Sequence, residues 1–255
     1  MELSYKKIGE GIPVFILHGL FGSSDNWQTM GKKIAALGFS VFLIDLRNHG
    51  HSPWSEEMNF ETMAQDVLKI LEKEKLDKII LMGHSMGGKT AMTFAAHYPD
   101  KIDKLIVVDI SLQKYPPHHG IILKALNAVD TNLIADRKQA EQIIATYIDD
   151  LSVRQFLLKN LYWKEKNKLA WRFNIPAIEK NMEHILDEIK SPEFFEPTLF
   201  IRGALSGYIQ EKDFNLIYKT YPNAKIITVE NAGHWVHAEA PEVFFEAFKN
   251  FVTRN

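Results

Sequence analysis

Residues 79–88 read Ile-Ile-Leu-Met-Gly83-His84-Ser85-Met86-Gly87-Gly88 and run on into Lys89-Thr90-Ala91-Met92-Thr93-Phe94-Ala95. The order is apolar strand, G-x-S-x-G, then a helix-forming stretch. A serine hydroxyl is a weak nucleophile until a base takes its proton. It must also stand clear of the backbone. A tight strand-to-helix turn lifts it, and such a turn needs small neighbours because backbone packs against backbone there. The following helix aims its N-terminal dipole end at the same place, where negative charge would develop. A bare G-x-S-x-G is a weak signal whose alternative is a glycine-rich turn with no chemistry. The strand before Ser85 and the helix after it are the context that favours a nucleophile.

The base is sought among ten histidines. His234 stands in Asn231-Ala232-Gly233-His234-Trp235, between the apolar run Ile226–Val229 and a C-terminal amphipathic pattern, Phe244, Ala247, Phe248 and Phe251, opened by Pro241. A loop at a strand's carboxyl end can bring an imidazole within hydrogen-bond reach of a serine on another strand. His237 suits the rim or the start of the helix. His18, His49 and His51 lie in two turns and read as structural or pocket-lining. His118 and His119 lack partner spacing for a metal, and neither metal nor cofactor is expected.

These residues need a scaffold. Val14–Leu17, Val41–Ile44, Ile79–Met82, Leu105–Val108, Thr198–Ile201 and Ile226–Val229 are short apolar runs. Most lack polar alternation, as strands covered on both faces of a parallel sheet do. Leu3 to Ile8 adds antiparallel edge strands. Phe60, Met63, Ala64, Val67, Leu68 and Leu71 recur at helical spacing between two of the runs. From Ser111 to Pro197 the alternation of strand and helix stops. Helical blocks at Ile121–Val129, Arg137–Ile148, Val153–Leu161 and Ile178–Ile189 fill that stretch, and Tyr162-Trp163 and Ala170–Phe173 flank Lys164–Lys168 as a small hairpin. The expected fold is α/β, a mostly parallel central sheet flanked by helices. Residues 1–110 and 198–255 form the core, and 111–197 form a mostly helical cap inserted after the sixth strand position.

Composition excludes several classes. Lys and Arg number 30 against 32 Asp and Glu, a net charge of −2, so there is no cationic excess for nucleic acid or an anionic membrane surface. The absence of cysteine removes disulfides, a thiol nucleophile and thiolate metal sites. Met1 to Gly11 shows no signal-peptide pattern, and Val14–Leu17 is far too short to span a bilayer. A cytoplasmic protein without a membrane span is expected; the composition leaves the oligomeric state open.

The motifs occur in an order that resembles the α/β-hydrolase serine esterases. Val14-Phe15-Ile16-Leu17-His18-Gly19-Leu20-Phe21-Gly22 is similar to their strand and His-Gly turn. Asp45-Leu46-Arg47-Asn48-His49-Gly50-His51-Ser52 is similar to their D-x-R-x-x-G-x-S turn, Gly83–Gly87 to the nucleophile elbow, and Asn231–Trp235 to the histidine turn. The R-N-H-G-x-S and H-S-M-G-G-K wording resembles the bacterial YbfF-type esterases. The resemblance implies Ser85 as nucleophile, His234 as base, and an oxyanion hole made by the backbone N–H groups of Leu20 and Met86. Leu20 can equally be a core or pocket leucine.

One departure stands out. In this fold the acid usually follows the seventh strand in a G-x-x-D turn, and here that turn reads Gly203-Ala204-Leu205-Ser206. A serine supplies no charge for an imidazolium. Asp109 ends the run Leu105–Val108, where dehalogenase-like branches of the fold carry their acid, so Asp109 is the expected acid, with Ser206 auxiliary. The alternatives are Asp109 as a cap for the next segment, and Asp213 as the acid. Tyr147, Trp163, Trp171 and His18 are expected in the substrate pocket. The activity implied is hydrolysis of a small-molecule ester or thioester through an acyl-enzyme. Perhydrolase chemistry of the haloperoxidase kind, or a non-catalytic binding protein on the same scaffold, are the alternatives.

Overall fold

Continuous apolar runs emerge as strands buried along their length, and the register between them decides where the site can be. The computed structural model describes residues 1–253. Nine strands are found among them: β1 (Tyr5–Ile8), β2 (Ile12–Leu17), β3 (Phe39–Ile44), β4 (Ile79–His84), β5 (Ile102–Val108), β6 (Leu161–Glu165), β7 (Lys168–Trp171), β8 (Thr198–Gly203) and β9 (Ala224–Val229). The main sheet has the order β1-β3-β2-β4-β5-β8-β9. All its pairings are parallel except β1 on β3. The edge strands expected over Leu3–Ile8 are therefore one strand, and the run Leu105–Val108 is the fifth strand of the chain.

Two faces are covered because successive side chains point to opposite sides of a strand. Helices α1 (Gln28–Ala35), α2 (Phe60–Lys73) and α3 (Met86–His97) follow β2, β3 and β4. Phe15, Leu17, Phe42, Leu81, Val107 and Phe200 pack with Met63 and Val67 of α2 and Met92 of α3. Their neighbours Val14, Ile16, Val41, Leu43, Met82 and Ile201 pack with Ile34 of α1 and with Phe244 and Phe248 of the C-terminal helix. Asn59 starts α2 by accepting a hydrogen bond from the Thr62 amide at 2.8 Å.

Between β5 and β8 lie α4 (Gly120–Ala128), α5 (Arg137–Ala145), α6 (Leu151–Leu158), the β6–β7 hairpin, α7 (Ile175–Lys180) and α8 (Met182–Leu186). Leu123, Leu126, Ile144, Leu157 and Ile178 of this insertion are buried in the same cluster as Phe15 and Leu17. The chain closes with α9 (Phe214–Thr220), α10 (Val236–Glu239) and α11 (Pro241–Thr253). No helix among the described residues is long and apolar enough to cross a membrane.

Strand order reverses at β2, whose neighbours are β3 on one side and β4 on the other. In open α/β sheets such a switch point leaves a crevice at the carboxyl ends of the strands. The paired ends Leu17 and Gly83 put His18 and Ser85 at its two sides.

The turn after β3 is tied to α2 by a buried ion pair. Arg47 Nε donates to Asp66 Oδ2 at 2.8 Å, and its remaining nitrogens donate to the carbonyls of Glu57 and Thr62 at 2.8 and 3.2 Å. Asp66 is also contacted by the Met1 amino group. Removing one member of a buried pair leaves the other charge poorly compensated. Arg47→Ala is expected to lower unfolding stability by about 3 kcal/mol in urea titrations; a loss under about 1 kcal/mol would mean that the pair does not hold this turn.

Candidate active site

Ser85 joins β4 to α3 in a conformation that side chains avoid, φ 53° and ψ −119°. Such strain costs on the order of 1–3 kcal/mol and persists only where surroundings impose it. Here its amide donates to the Val108 carbonyl and its carbonyl accepts from the Lys89 amide, both at 3.0 Å. The flanking glycines follow from close approach. A Cβ at position 83 would lie 2.1 Å from the Gly87 carbonyl oxygen, and one at position 87 would lie 2.4 Å from that of Leu17.

Asp109 stands at the end of β5, also at positive φ, 48°. It has no exposed surface. Its amide donates to the Ile201 carbonyl at 2.8 Å. Oδ1 accepts from the Gly203 amide at 3.0 Å, and Oδ2 accepts from the Ser206 hydroxyl and from His234 Nδ1, the latter at 2.8 Å. A carboxylate only accepts, so the His234 proton sits on Nδ1 and Nε2 is left with its lone pair. Ser206 stands where the G-x-x-D turn would put a carboxylate, and its hydroxyl meets Asp109. Asp213 is elsewhere: its carboxylate accepts from the Gln210 amide at 2.8 Å and caps a short turn.

His234 is held on several sides. Glu239 accepts from the amides of Gly233 and Trp235 at 2.6 and 3.0 Å. His84 Nε2–H donates to the His234 carbonyl at 2.9 Å. Burial, followed by repulsion from His234 and His237, pushes His84 well below its ordinary value, so it serves as a neutral donor. The Tyr208 ring stacks on the His234 imidazole with centroids 4.1 Å apart, and its hydroxyl meets His118 Nε2 at 2.6 Å. Burial, reinforced by Asp109, raises that phenol to about 12.

The loop after β2 has most of its amides occupied. Phe21 donates to His49 Nε2 at 3.1 Å, Gly22 to the Gly19 carbonyl at 2.9 Å, and Ser23 to Asn26 Oδ1 at 2.8 Å. Ser24 donates to Asp45 Oδ1 at 2.6 Å. Among the described residues the amides of Leu20 and Met86 have no acceptor. The loop passes close to the elbow, since a Cβ on Gly19 would lie 3.3 Å from Ser85 Cβ. His18 supports the loop from behind, donating from Nδ1 to the Gly19 carbonyl at 2.8 Å and accepting from the Leu46 amide at 3.0 Å.

The alpha/beta hydrolase fold family model matches residues 12–241. The chain belongs to the α/β-hydrolase family. Esterase YbfF of Escherichia coli K12 is 36% identical over 241 residues, 94% of this chain and 92% of that one. The sn-1-specific diacylglycerol lipase ABHD11 of Mus musculus is 36% identical over 247 residues, 94% of this chain and 80% of that one. A solved marine microorganism esterase superposes with a TM-score of 0.95 at 42% identity, covering 98% of this chain and 99% of its own.

Within this α/β-hydrolase, Ser85, His234, His18, Leu20 and Phe21 line a cavity of about 900 Å³, to which the insertion contributes Ile122, Val153 and Phe156. Three residues expected in the pocket lie outside its lining. Tyr147 and Trp163 are on the surface, 41% and 49% exposed. In the hairpin Leu161, Leu169 and Trp171 are buried, while Trp163, nearer the turn, is exposed. Trp171 is buried against Phe173, ring centroids 5.2 Å apart, and Phe173 in turn meets the cavity residue Phe21. The cavity takes its aromatic surface instead from Phe21, Trp27, Phe156, Tyr208 and Trp235. Val153, Phe156 and Leu157 share a helix face at i, i+3 and i+4, the one signal in the sequence that pointed to them. Tyr208 and Glu239 carried no motif of their own, and His84 stands inside the elbow motif, which gives it no role. Among the described residues no three His, Asp or Glu side chains gather as a metal site.

Two tests follow from this geometry. Asp109→Asn, which turns an amide toward groups that all donate, is expected to lower kcat by about 10⁴ with KM little changed. Asp213→Asn is expected to stay within about twofold; loss of activity in Asp213→Asn would move the acid to that residue. Second, burial pushes His49 and His237 down to about 3, aided by His18 and His234 respectively. They stay neutral in the folded chain while the unfolded chain protonates them below about 6.5. Their stability contribution is full above that pH and drains as pH falls toward 3, by about 1.4 kcal/mol per unit for each histidine. Urea midpoints should fall from pH 7 to pH 5, and His49→Asn should flatten the fall; a midpoint constant over that range would contradict it.

Proposed function

We propose that this chain hydrolyses carboxylic esters or thioesters through an acyl-enzyme on Ser85, with His234 as general base and Asp109 as the acid. The observation that carries the reading is the 2.8 Å contact of His234 Nδ1 with a fully buried Asp109 carboxylate. It fixes the tautomer whose free Nε2 belongs to a residue lining the same cavity as Ser85. Relatives named esterase and diacylglycerol lipase support ester chemistry.

His234 Nε2 takes the Ser85 proton as Oγ attacks the acyl carbonyl carbon. The carbonyl oxygen becomes an oxyanion, and the amides of Leu20 and Met86 donate to it, backed by the N-terminal dipole of α3. The imidazolium is balanced by Asp109, whose charge is oriented by Gly203 and Ser206. His234 then returns the proton to the departing alkoxide or thiolate. A water molecule then gives a proton to the same nitrogen as its oxygen attacks the acyl carbon; the bond to Ser85 Oγ breaks, His234 returns the proton to Oγ, and the acid leaves. His18, His49, His84 and His237 add no positive charge, because each is buried and pushed below its ordinary value. Residues 111–197 act as the cap: Ile122, Val153 and Phe156 give the acyl group an apolar wall.

A fluorophosphonate probe should label the protein at Ser85, and Ser85→Ala should abolish both labelling and turnover of nitrophenyl esters. A panel of nitrophenyl esters and acyl-CoA thioesters of graded length reads the leaving-group and acyl preference. Absence of both labelling and turnover in the native chain would favour a binding protein on this scaffold.

A further inference from the structure

Lys89 lies one helical turn past Ser85 on α3 and is 1% exposed. A buried ammonium needs acceptors for all three of its protons. Lys89 finds them on the backbone. Nζ donates to the Gln113 carbonyl at 2.8 Å, to the Asp187 carbonyl, and to the Leu186 carbonyl at 3.5 Å. The rings of Tyr115 and Phe60 flank it, their centroids 4.8 and 5.8 Å away. The neighbouring carboxylate, Asp187, directs its side chain to Lys114 at 3.3 Å instead.

The place of those carbonyls in the chain is what matters. Gln113 is on the connection that leaves β5 for the insertion; Leu186 ends α8 and Asp187 opens the connection that returns toward β8. The two connections also join each other, the Tyr115 amide donating to the Leu186 carbonyl at 2.9 Å and the Ile189 amide to the Leu112 carbonyl at 2.7 Å. Lys89 therefore meets both ends of the insertion from the first turns of the helix that begins at the nucleophile.

We propose that Lys89 is a positioning residue that clamps both connections of the insertion to the nucleophile helix and so sets the distance between the insertion's apolar wall and Ser85. The proposal rests on Ser85 being the nucleophile and the insertion its cap. Because the hydrogen bonds of Nζ all go to carbonyls, they respond to where two stretches of backbone lie. A lysine kept only for packing would be replaced without functional loss by methionine, which has similar length and no charge to bury. A clamp would not.

The test is Lys89→Met in the full chain, read with nitrophenyl acetate and nitrophenyl octanoate. KM for the octanoate, whose chain reaches the insertion wall, should rise at least tenfold while kcat on the acetate changes less than threefold. Exchange of the Tyr115 and Ile189 amides should accelerate at least tenfold. The chain has no cysteine, so Lys89→Cys alkylated with 2-bromoethylamine in denaturant and refolded carries a single thioether copy of lysine. It should restore the octanoate KM. An unchanged octanoate KM in folded Lys89→Met, or unchanged exchange, would overturn the clamp.

If Lys89→Met does not fold, the native chain still decides. Tyr115 and Ile189 amides should exchange as slowly as those of α3, and exchange as fast as α4–α6 would overturn the proposal. Failure of the native chain to hydrolyse either ester or to accept the probe strikes the Ser85 reading; the exchange measurements then still judge the clamp.

Discussion

A carboxylate with no exposed surface sits at the end of β5, and much of the site is arranged around satisfying it. Asp109 takes the Gly203 amide on one oxygen and the Ser206 hydroxyl and His234 Nδ1 on the other. A buried charge survives only when its lone pairs are met by donors of good geometry. The three donors come from the end of β8, the turn after it, and the turn after β9, so the carboxylate fixes the relative position of all three. The same contact selects the His234 tautomer. The geometry of the proposed triad and the solvation of one buried anion are thus the same set of bonds.

The exchange between Asp109 and Ser206 follows from parallel pairing. β5 and β8 are neighbours, and adjacent strands lie only about 4.8 Å apart. A group at the end of either can reach one imidazole above them. With the carboxylate at the end of β5, the β8 turn supplies the hydroxyl that orients it. Ser85 and Asp109 share a second feature: each leaves its strand at positive φ, and each has its amide bonded to a carbonyl of the next strand, Val108 and Ile201. The sheet's parallel ladder, continued one residue past its end, holds both strained turns in place.

Around them lie imidazoles that burial keeps neutral. His49 and His18 brace the loop that carries the Leu20 amide, and His84 braces the turn that carries His234. In each case a ring nitrogen replaces a backbone partner that an irregular turn cannot find within itself. A neutral ring can do this without adding a positive charge that would compete for Asp109 with the imidazolium formed in the proposed reaction.

The sequence by itself determined the strand and helix alternation, the strand-turn-helix around Ser85 and the family, because these rest on local spacing. Apolar runs, glycines forced by close approach and helical periodicity are properties of a dozen neighbouring residues. It also pointed to Asp109 and His234, by their places at strand ends. Tertiary structure decided what depends on direction. Trp163 faces solvent while Phe156 lines the cavity, since an aromatic's identity does not say which way the hairpin or helix carrying it is turned. Tyr208 on His234 and Lys89 against both connections of the insertion join residues far apart in the chain, and no local pattern encodes such meetings. Only the packing of distant segments, over a sheet whose order reverses at β2, brought them together.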